Sequence, residues 1–345
     1  HKRCTLSIMA DKEKKYNDDQ TIDTVLRPEK WSDYIGQEKI KNNLRIIIEA
    51  ARKRKEPIDH LLFYGQPGLG KTTLAKLVTN ELGASMKVTS GPTIEKIGDL
   101  AAILSNLEKN EILFIDEAHR LNRIIEEVLY PAMESRKLHI IIGKGPGARS
   151  VSLDLPPFTL IAATTRVNLL SAPLRARFGA TFKLDYYEEK DIEQILRRSA
   201  KILGVDMNND AIEILAKASR FTPRTANRLL KRARDYIEVH GQKMVNRDIA
   251  LKTLEFLEID SLGLESYDRA FLNAIIDKFD GGPVGIGTIA AALNEDRGII
   301  EDLYEPYLMR IGFLKRTQAG RVVEQREGAP RENDENETSL SDGFL

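Results

Sequence analysis

Residues 65–73 read GQPGLGKTT, a spacing of glycine, lysine and hydroxyl side chains that can bind a polyphosphate. An apolar run at residues 61–64 precedes this loop, and a helical pattern extends from residue 74 to residue 82. Glycines let the loop turn its N–H groups inward, and the helix N-terminus adds unpaired donors and a positive dipole. An ordinary strand–turn–helix with a spare lysine is the alternative, but both flanks favour a nucleoside triphosphate site. The expected ligands are Gly68, Gly70, Lys71, Thr72 and Thr73, with Lys71 on the β- and γ-phosphates and the Thr72 hydroxyl on Mg²⁺.

Two adjacent acids, Asp116 and Glu117, directly follow the apolar residues 112–115, which read ILFI. Such a run is typical of a strand buried on both faces of a parallel sheet. At the carboxyl end of that strand, Asp116 is expected to hold the Mg²⁺ shell beside the phosphate loop. Glu117 is expected to polarise the attacking water as a general base. Helix N-capping is the alternative role for both acids, but their position after a buried strand favours hydrolysis.

Polar and cationic side chains follow a third apolar run, TLIAA at residues 159–163. Thr164 comes directly after it and is expected to orient water near the γ-phosphate. Arg177 lies within LRARF at residues 174–178, and Arg224 lies within TPR at the start of a helical pattern. A single arginine is usually a solvated surface group, yet these follow both nucleotide motifs in a set order. That order resembles the sensors and arginine finger of the AAA+ ATPases, in which a neighbouring subunit receives the finger.

The chain resembles more specifically the RuvB family of bacterial motors that drive branch migration of Holliday junctions. The resemblance covers residues 24–323, and the segments from residue 143 to residue 158 and near the C-terminus are particular to that family. The matching segments are LRP at 26–28, DYIGQ at 33–37, the phosphate loop, LFIDE at 113–117, LYPAME at 129–134, IGKGPGARS at 142–150, LPPFTL at 155–160, ATTR at 163–166, PLRARFG at 173–179, TPRTANR at 222–228, GGPVG at 281–285, GFL at 312–314 and RT at 316–317.

This resemblance implies a nucleotide position and an assembly. ATP and Mg²⁺ would be the cofactors, with the nucleotide held between a large domain and a lid and Mg²⁺ held by Thr72 and Asp116. A homo-hexameric ring would act on duplex DNA arms of a Holliday junction, with a RuvA-type junction-binding protein as partner and a RuvC-type resolvase as a further candidate. The resemblance also implies a bacterial cytoplasmic location. Residues implied beside the nucleotide are Leu26, Arg27, Tyr34, Ile35, Tyr187 and Arg224.

Composition is that of a soluble globular protein with more than one domain. The 345 residues exceed a single-core domain, with 42% hydrophobic and 30% charged residues. The single cysteine, Cys4, excludes an intrachain disulfide and fits a reducing compartment. No apolar run approaches the roughly 20 residues that a membrane-spanning helix needs. Residues 1–8 are interpreted as a leader or vector sequence ahead of a natural start at Met9.

The pattern predicts an α/β fold with an AAA+ P-loop parallel-sheet domain, a small all-helical lid and a C-terminal winged-helix domain. Short apolar strands alternate with helices in the large domain, residues 24–187, and helical periodicity alone continues through the lid, residues 188–258. The winged helix occupies residues 259–323. Residues 1–23 are expected to be a leader and flexible N-terminus, and residues 324–345 a disordered acidic tail.

A β-hairpin is expected between residues 137 and 154, with Ile140, Ile141 and Ile142 on its first strand. In the resembled family a hairpin at this place projects and docks RuvA, which implies that these isoleucines form the partner surface. Packing in the core is the alternative for at least one of them, because strand faces alternate.

A second hairpin near the C-terminus carries Arg316 and Arg321 after three helical patterns. On the wing of a winged helix these arginines would contact DNA phosphates, which positions a protein without reading base sequence. A plain surface hairpin, or one that contacts protein, is the alternative. Ala319 stands at a wing position that is often arginine in the family, and this thins the basic patch.

Other departures from the family pattern leave the catalytic groups in place. Gln66 replaces a usual proline in the phosphate loop, Ser135 replaces a common acid, and Phe221 replaces a small residue before Thr222.

Three other classes of protein share parts of this pattern. A clamp-loader subunit has the same AAA+ core, but it ends in a helical collar where this chain has a wing. A protein-remodelling ATPase would carry an aromatic–glycine pore loop, and residues 89–110 contain no such aromatic. A non-enzymatic ATP-binding scaffold is disfavoured by the presence of Lys71, Asp116, Glu117 and Arg177.

Overall fold

The computed structural model describes Ile22, residues 24–142 and residues 149–324. The predicted leader and N-terminus therefore fall outside the described residues except at Ile22. The turn at residues 143–148, the side chains of Ile141 and Ile142, and the acidic tail beyond residue 324 also lie outside them.

A five-stranded parallel sheet forms the centre of the large domain, with strand order β2–β3–β6–β1–β7. Its strands are β1 (Leu61–Tyr64), β2 (Met86–Ser90), β3 (Glu111–Asp116), β6 (Phe158–Thr164) and β7 (Ala180–Lys183). The three central strands are buried along nearly their whole length, as expected for a parallel sheet covered on both faces. Because β6 pairs with both β1 and β3, the phosphate loop, the two acids and Thr164 leave the sheet at the same edge. The predicted parallel-sheet fold is confirmed.

Helices accompany the strands in the alternation that the sequence predicts. They are α1 (Glu38–Arg54), α2 (Lys71–Leu82), α3 (Ile97–Ser105), α4 (Arg123–Ser135) and the short α5 (Ala172–Ala176). A continuous apolar core joins Leu62 and Leu113 of the sheet to Leu104, Leu129 and Leu174 of three helices. This packing fixes the positions of α4 and α5, which carry residues of the functional site.

The predicted hairpin consists of the antiparallel strands β4 (Lys137–Ile142) and β5 (Arg149–Asp154), with Ile142 paired to Arg149. Leu138 is fully buried, and Ile140 is half-buried and packs against the core of the large domain. Ile140 is thus partly packed in the core, as the alternative predicts for at least one of the three isoleucines, and its role towards a partner protein stays a prediction.

The lid consists of α6 (Glu189–Leu203), α7 (Asn209–Lys217) and α8 (Pro223–Val239). Ile192, Leu196 and Ser199 share the buried face of α6, and Gly204 ends that helix with φ of 66°. A two-residue parallel pair, β8 (Asp206–Met207) with β9 (Met244–Val245), is added to the helices that the sequence predicts.

The chain divides into two compact units, one ending at Asn246 and one beginning at Arg247. The second unit contains α9 (Arg247–Phe256), α10 (Ser266–Phe279), α11 (Ile286–Leu293) and helical turns from Arg297 to Ile311. The antiparallel strands β10 (Leu314–Arg316) and β11 (Arg321–Val323) follow, and Val284 bridges to Arg321. This is the predicted winged-helix arrangement, whereas the boundary at residue 259 stays a prediction. Within the described residues, no helix is both long and apolar enough to cross a membrane.

Candidate nucleotide-binding site

The phosphate loop connects the end of β1 to the start of α2 and depends on glycine backbone geometry. Gly68 and Gly70 have φ of 79° and 95°, a region that side chains with a Cβ rarely adopt. A Cβ on Gly68 would lie 3.0 Å from Cβ of Arg224, and one on Gly70 would lie 3.1 Å from Oη of Tyr34. The loop is therefore packed closely between the lid and the N-terminal segment of the large domain.

Lys71 lies at the first position of α2 and is 8% exposed. Its Nζ donates to the carbonyl oxygens of Gly65 at 2.7 Å and Gln66 at 2.8 Å. Burial lowers the pKa of Lys71 to about 8, against an opposing effect of the Asp116 carboxylate and with a further lowering by Arg224. When a phosphate enters the loop, the Lys71 ammonium can exchange these two neutral carbonyl partners for a negatively charged phosphate oxygen.

The Thr72 hydroxyl donates to Oδ2 of Asp116 at 3.1 Å, joining the start of α2 to the end of β3. The other carboxylate oxygen, Oδ1, accepts from the backbone N–H of Glu117 at 2.9 Å. A hydroxyl and a carboxylate side by side are hard oxygen donors of the kind that Mg²⁺ prefers. The residues present therefore fit a magnesium ion beside the phosphate loop.

Glu117 has a left-handed backbone, with φ of 48°, and its side chain is about half exposed. The carboxylate lies 3.4 Å from a guanidinium nitrogen of Arg120, one helical turn along the chain. Asp116 and Glu117 both line the same cavity as Lys71. A solvent-accessible carboxylate at this position can accept a proton from a water molecule next to a bound phosphate.

A cavity of about 260 Å³ opens over the phosphate loop. It brings together almost every residue that the sequence analysis placed beside a nucleotide or metal. The predicted residues that line it are Leu26, Arg27, Tyr34, Ile35, Gly68, Gly70, Lys71, Thr72, Thr73, Asp116, Glu117, Tyr187 and Arg224.

Two phenols lie together in the cavity wall. The Tyr187 hydroxyl donates to Oη of Tyr34 at 3.2 Å and lies 3.2 Å from the carbonyl oxygen of Leu69. Burial raises the pKa of Tyr34 to about 12 and also raises that of Tyr187. Both phenols are neutral at physiological pH, so Tyr34 and Tyr187 can contact an aromatic base without placing a negative charge beside it.

Sequence analysis missed several residues of the cavity wall. Arg198 of α6 donates to the carbonyl oxygen of Leu26 at 2.8 Å, and the Asn227 side chain accepts from the Ser199 hydroxyl at 2.8 Å. Asn227 lies in the TPRTANR segment, one turn after Arg224, and this spacing could have identified it. Nothing in the local sequence marks Arg198. The additional lining residues are Pro28, Asp33, Pro67, Ile195, Arg198, Pro223 and Asn227.

Thr164 and Arg177 are described residues that do not line this cavity. Thr164 is 1% exposed, its hydroxyl lies 3.1 Å from Nδ1 of His119, and it accepts from the backbone N–H of Arg166. The buried hydroxyl is thus engaged within the protein, and its role towards a γ-phosphate stays a prediction. Arg177 instead contacts Glu134 at 2.9 Å and lies over the ring of Tyr130.

The two arginines of the wing are held by one buried acid. Arg321, whose side chain is 11% exposed, donates from Nε to Oε1 of Glu305 at 2.7 Å. Arg316 also pairs with Glu305 but keeps about half of its side chain exposed. Arg321 is therefore buried against a carboxylate, whereas Arg316 keeps more of its side chain exposed. Contact of either arginine with DNA phosphates stays a prediction.

Comparisons with known proteins agree on one family for nearly the whole span from residue 26 to residue 326. A family model for the Holliday junction DNA helicase RuvB P-loop domain matches residues 26–184. Models for the RuvB AAA lid domain and the RuvB C-terminal winged helix domain match residues 187–260 and 261–326.

Individual relatives show the same relationship. The Holliday junction branch migration complex subunit RuvB of Fusobacterium nucleatum is 57% identical over 302 residues, 88% of this chain and 91% of that protein. The corresponding subunit of Dehalococcoides mccartyi is 55% identical over 323 residues, covering 92% and 93%. The structure of the Thermotoga maritima RuvB Holliday junction branch migration motor superposes with a TM-score of 0.80 at 46% identity, covering 87% of this chain and 96% of that one. On this evidence of sequence and structure together, the chain belongs to the RuvB family.

Proposed function

We propose that this protein is an ATP-driven motor that moves the branch point of Holliday junctions during recombination and DNA repair. One observation carries the proposal: Lys71, Thr72, Asp116 and Glu117 face a single cavity that also contains Arg224 of the lid. Such a cavity can couple nucleotide state to the position of the lid, which a motor requires and a passive ATP-binding scaffold does not.

The chemical roles follow from the positions of the side chains. The phosphate loop and Lys71 bind the β- and γ-phosphates, and Thr72 and Asp116 would hold the Mg²⁺ that supplies charge neutralisation. Glu117 takes a proton from water as the water oxygen bonds to the γ-phosphorus and the bond to the β–γ bridging oxygen breaks. Arg224 contacts the nucleotide from the lid, and Tyr34, Ile35 and Tyr187 surround the base.

The assembly belongs to the same proposal. Arg177 lies outside its own cavity, which is consistent with action in the site of an adjacent subunit. A homo-hexameric ring around duplex DNA, with Thr164 near the γ-phosphate, would provide six such shared sites. The proposed partners are a RuvA-type junction-binding protein at the hairpin of Ile140, Ile141 and Ile142, and a RuvC-type resolvase.

The proposed location is the bacterial cytoplasm, and the proposed domain boundaries are those expected from the sequence. The large domain would span residues 24–187, the lid residues 188–258 and the winged helix residues 259–323. Contact of Arg316 with phosphates would attach the last domain to DNA.

The test compares ATPase activity and strand separation on three DNA molecules of equal mass: a four-way junction, a linear duplex and a primed template. A RuvA-type protein is added in a parallel series. We expect hydrolysis to be stimulated by DNA, and the junction to separate into two duplexes only when ATP is hydrolysed. Stimulation by the primed template with a sliding clamp, and none by the junction, would instead identify a clamp loader.

A further inference from the structure

Three side chains of α4 repeat at a spacing of four residues and lie along one face of that helix. They are Glu126, Tyr130 and Glu134, and all of them contact the segment at residues 171–177. The described contacts of this row form a continuous support beneath α5 and Arg177.

The first two residues hold the beginning of α5. Glu126, which is buried, accepts from the backbone N–H of Ser171 at 3.2 Å through Oε2. The Tyr130 hydroxyl lies 2.6 Å from Oγ of Ser171. Ser171 is the N-cap of α5, since its Oγ accepts from the backbone N–H of Leu174 at 3.3 Å. The position of α5 is therefore set by side chains of α4.

The end of α5 is held by the other half of the row. Glu134 contacts Nη2 of Arg177 at 2.9 Å, and the guanidinium carbon lies 5.6 Å from the ring centroid of Tyr130. The remaining donors are little used: Nη1 reaches the carbonyl oxygen of Pro173 only at 3.5 Å, and Nε has no partner in the described parts of the chain. The guanidinium is thus fixed along one edge and over one face. Nε is itself buried, but about a third of the Arg177 side chain is exposed and can meet another ligand.

We propose that Glu126, Tyr130 and Glu134 form a support that aims Arg177 at the nucleotide of the adjacent subunit. The inference rests on the proposed function, since it assumes that Arg177 acts as an arginine finger in trans. A free arginine side chain samples many rotamers, so its guanidinium occupies the productive position only part of the time. A finger that is already oriented avoids the entropic cost of adopting that position. The three residues are positioning residues, because they act through Arg177 and do not touch the nucleotide.

The main test is Glu134→Ala, with Glu127→Ala as its control. Glu127 lies on the same helix, is exposed and pairs with Arg123 in a long contact of 3.9 Å. Because misplacement of a catalytic group by about 1 Å can reduce a rate by up to about 100-fold, we expect Glu134→Ala to lower kcat by at least tenfold. Nucleotide affinity should stay unchanged, since Glu134 does not line its own cavity. Glu134→Gln should recover part of the rate, because an amide oxygen can still accept from Arg177.

Mixed rings distinguish positioning from general damage to the fold. Subunits with Glu134→Ala keep an intact phosphate loop, whereas subunits with Lys71→Ala keep an intact support and finger. Mixing the two should raise the rate above that of either variant, whereas adding Lys71→Ala subunits to the Glu127→Ala control should only lower it. In an Arg177→Ala background, Glu134→Ala should cause no further loss of kcat.

The outcomes separate this inference from the proposed function. If Arg177→Ala hydrolyses ATP normally, the assignment of Arg177 as a finger fails. If Arg177→Ala is inactive but Glu134→Ala keeps the wild-type kcat, only the inference about the support is overturned. It is also overturned if Glu134→Ala is slow but mixing restores nothing, since the defect would then lie within its own subunit.

Discussion

Nucleotide affinity should fall as pH rises from about 7.5 to about 9, because Lys71 must carry a proton to hold a phosphate. In the free protein, burial lowers the pKa of Lys71 to about 8. A bound β-phosphate would replace the carbonyl partners of Nζ, Gly65 and Gln66, and would favour the charged ammonium. The pKa therefore rises on binding, binding takes up a proton, and affinity is lost above the pKa of the free protein.

The magnitude follows from the fraction of Lys71 that is protonated before binding. With a pKa of about 8, that fraction is about 0.76 at pH 7.5 and about 0.09 at pH 9. The dissociation constant should therefore increase about eightfold across this interval, which corresponds to about 1.3 kcal/mol of binding free energy.

Calorimetric titration with ADP in the presence of EDTA measures this effect without metal ions or hydrolysis. Repeating the titration in buffers of different ionisation enthalpy counts protons, and uptake of about 0.9 proton is expected at pH 9. Lys71→Arg is the matched control, because its guanidinium stays charged over the whole range. We expect weaker but pH-independent binding by that variant. An equal slope in both proteins, or no slope in the wild type, would refute the assignment of the linkage to Lys71.

Three further predictions concern separate parts of the molecule. Lys71→Ala should abolish ATP binding, whereas Glu117→Gln should bind ATP and fail to hydrolyse it; equal losses of affinity, measured by fluorescence titration, would contradict this division of roles. Arg316→Ala should lower the slope of log affinity for DNA against log salt by about 1. Arg321→Ala should mainly lower the thermal midpoint of the winged helix, because it leaves the buried carboxylate of Glu305 without one of its partners. A salt slope that does not change in Arg316→Ala would exclude that contact. Burial lowers the pKa of His60, so its contribution to stability is present above about pH 6.5 and is lost as pH falls; a His60→Gln variant should show a smaller decrease of thermal midpoint on acidification, and equal decreases would contradict this.

The chemistry at the ends of β1 and β3 could be predicted from the sequence because each motif is local. Gly68 and Gly70 adopt positive φ within the loop that carries Lys71, and Asp116 and Glu117 end a strand whose burial is evident from its composition. Parallel strands place their carboxyl ends at one edge, so motifs far apart in the chain had to meet. The order of strands and helices likewise determined the three-part architecture.

Only the tertiary structure decided which long side chains are free and which are held. The sequence around Arg321 does not indicate its partner. Glu305 lies on a helical turn before the wing and contacts Arg321 only once the hairpin has packed against that turn. Arg198 joins the nucleotide cavity because the fold of the lid places α6 beside the carbonyl of Leu26. Arg177 similarly rests on α4 because two distant segments share one apolar core. Backbone motifs are determined by neighbours in sequence, whereas the partners of an arginine are determined by where rigid elements come to lie.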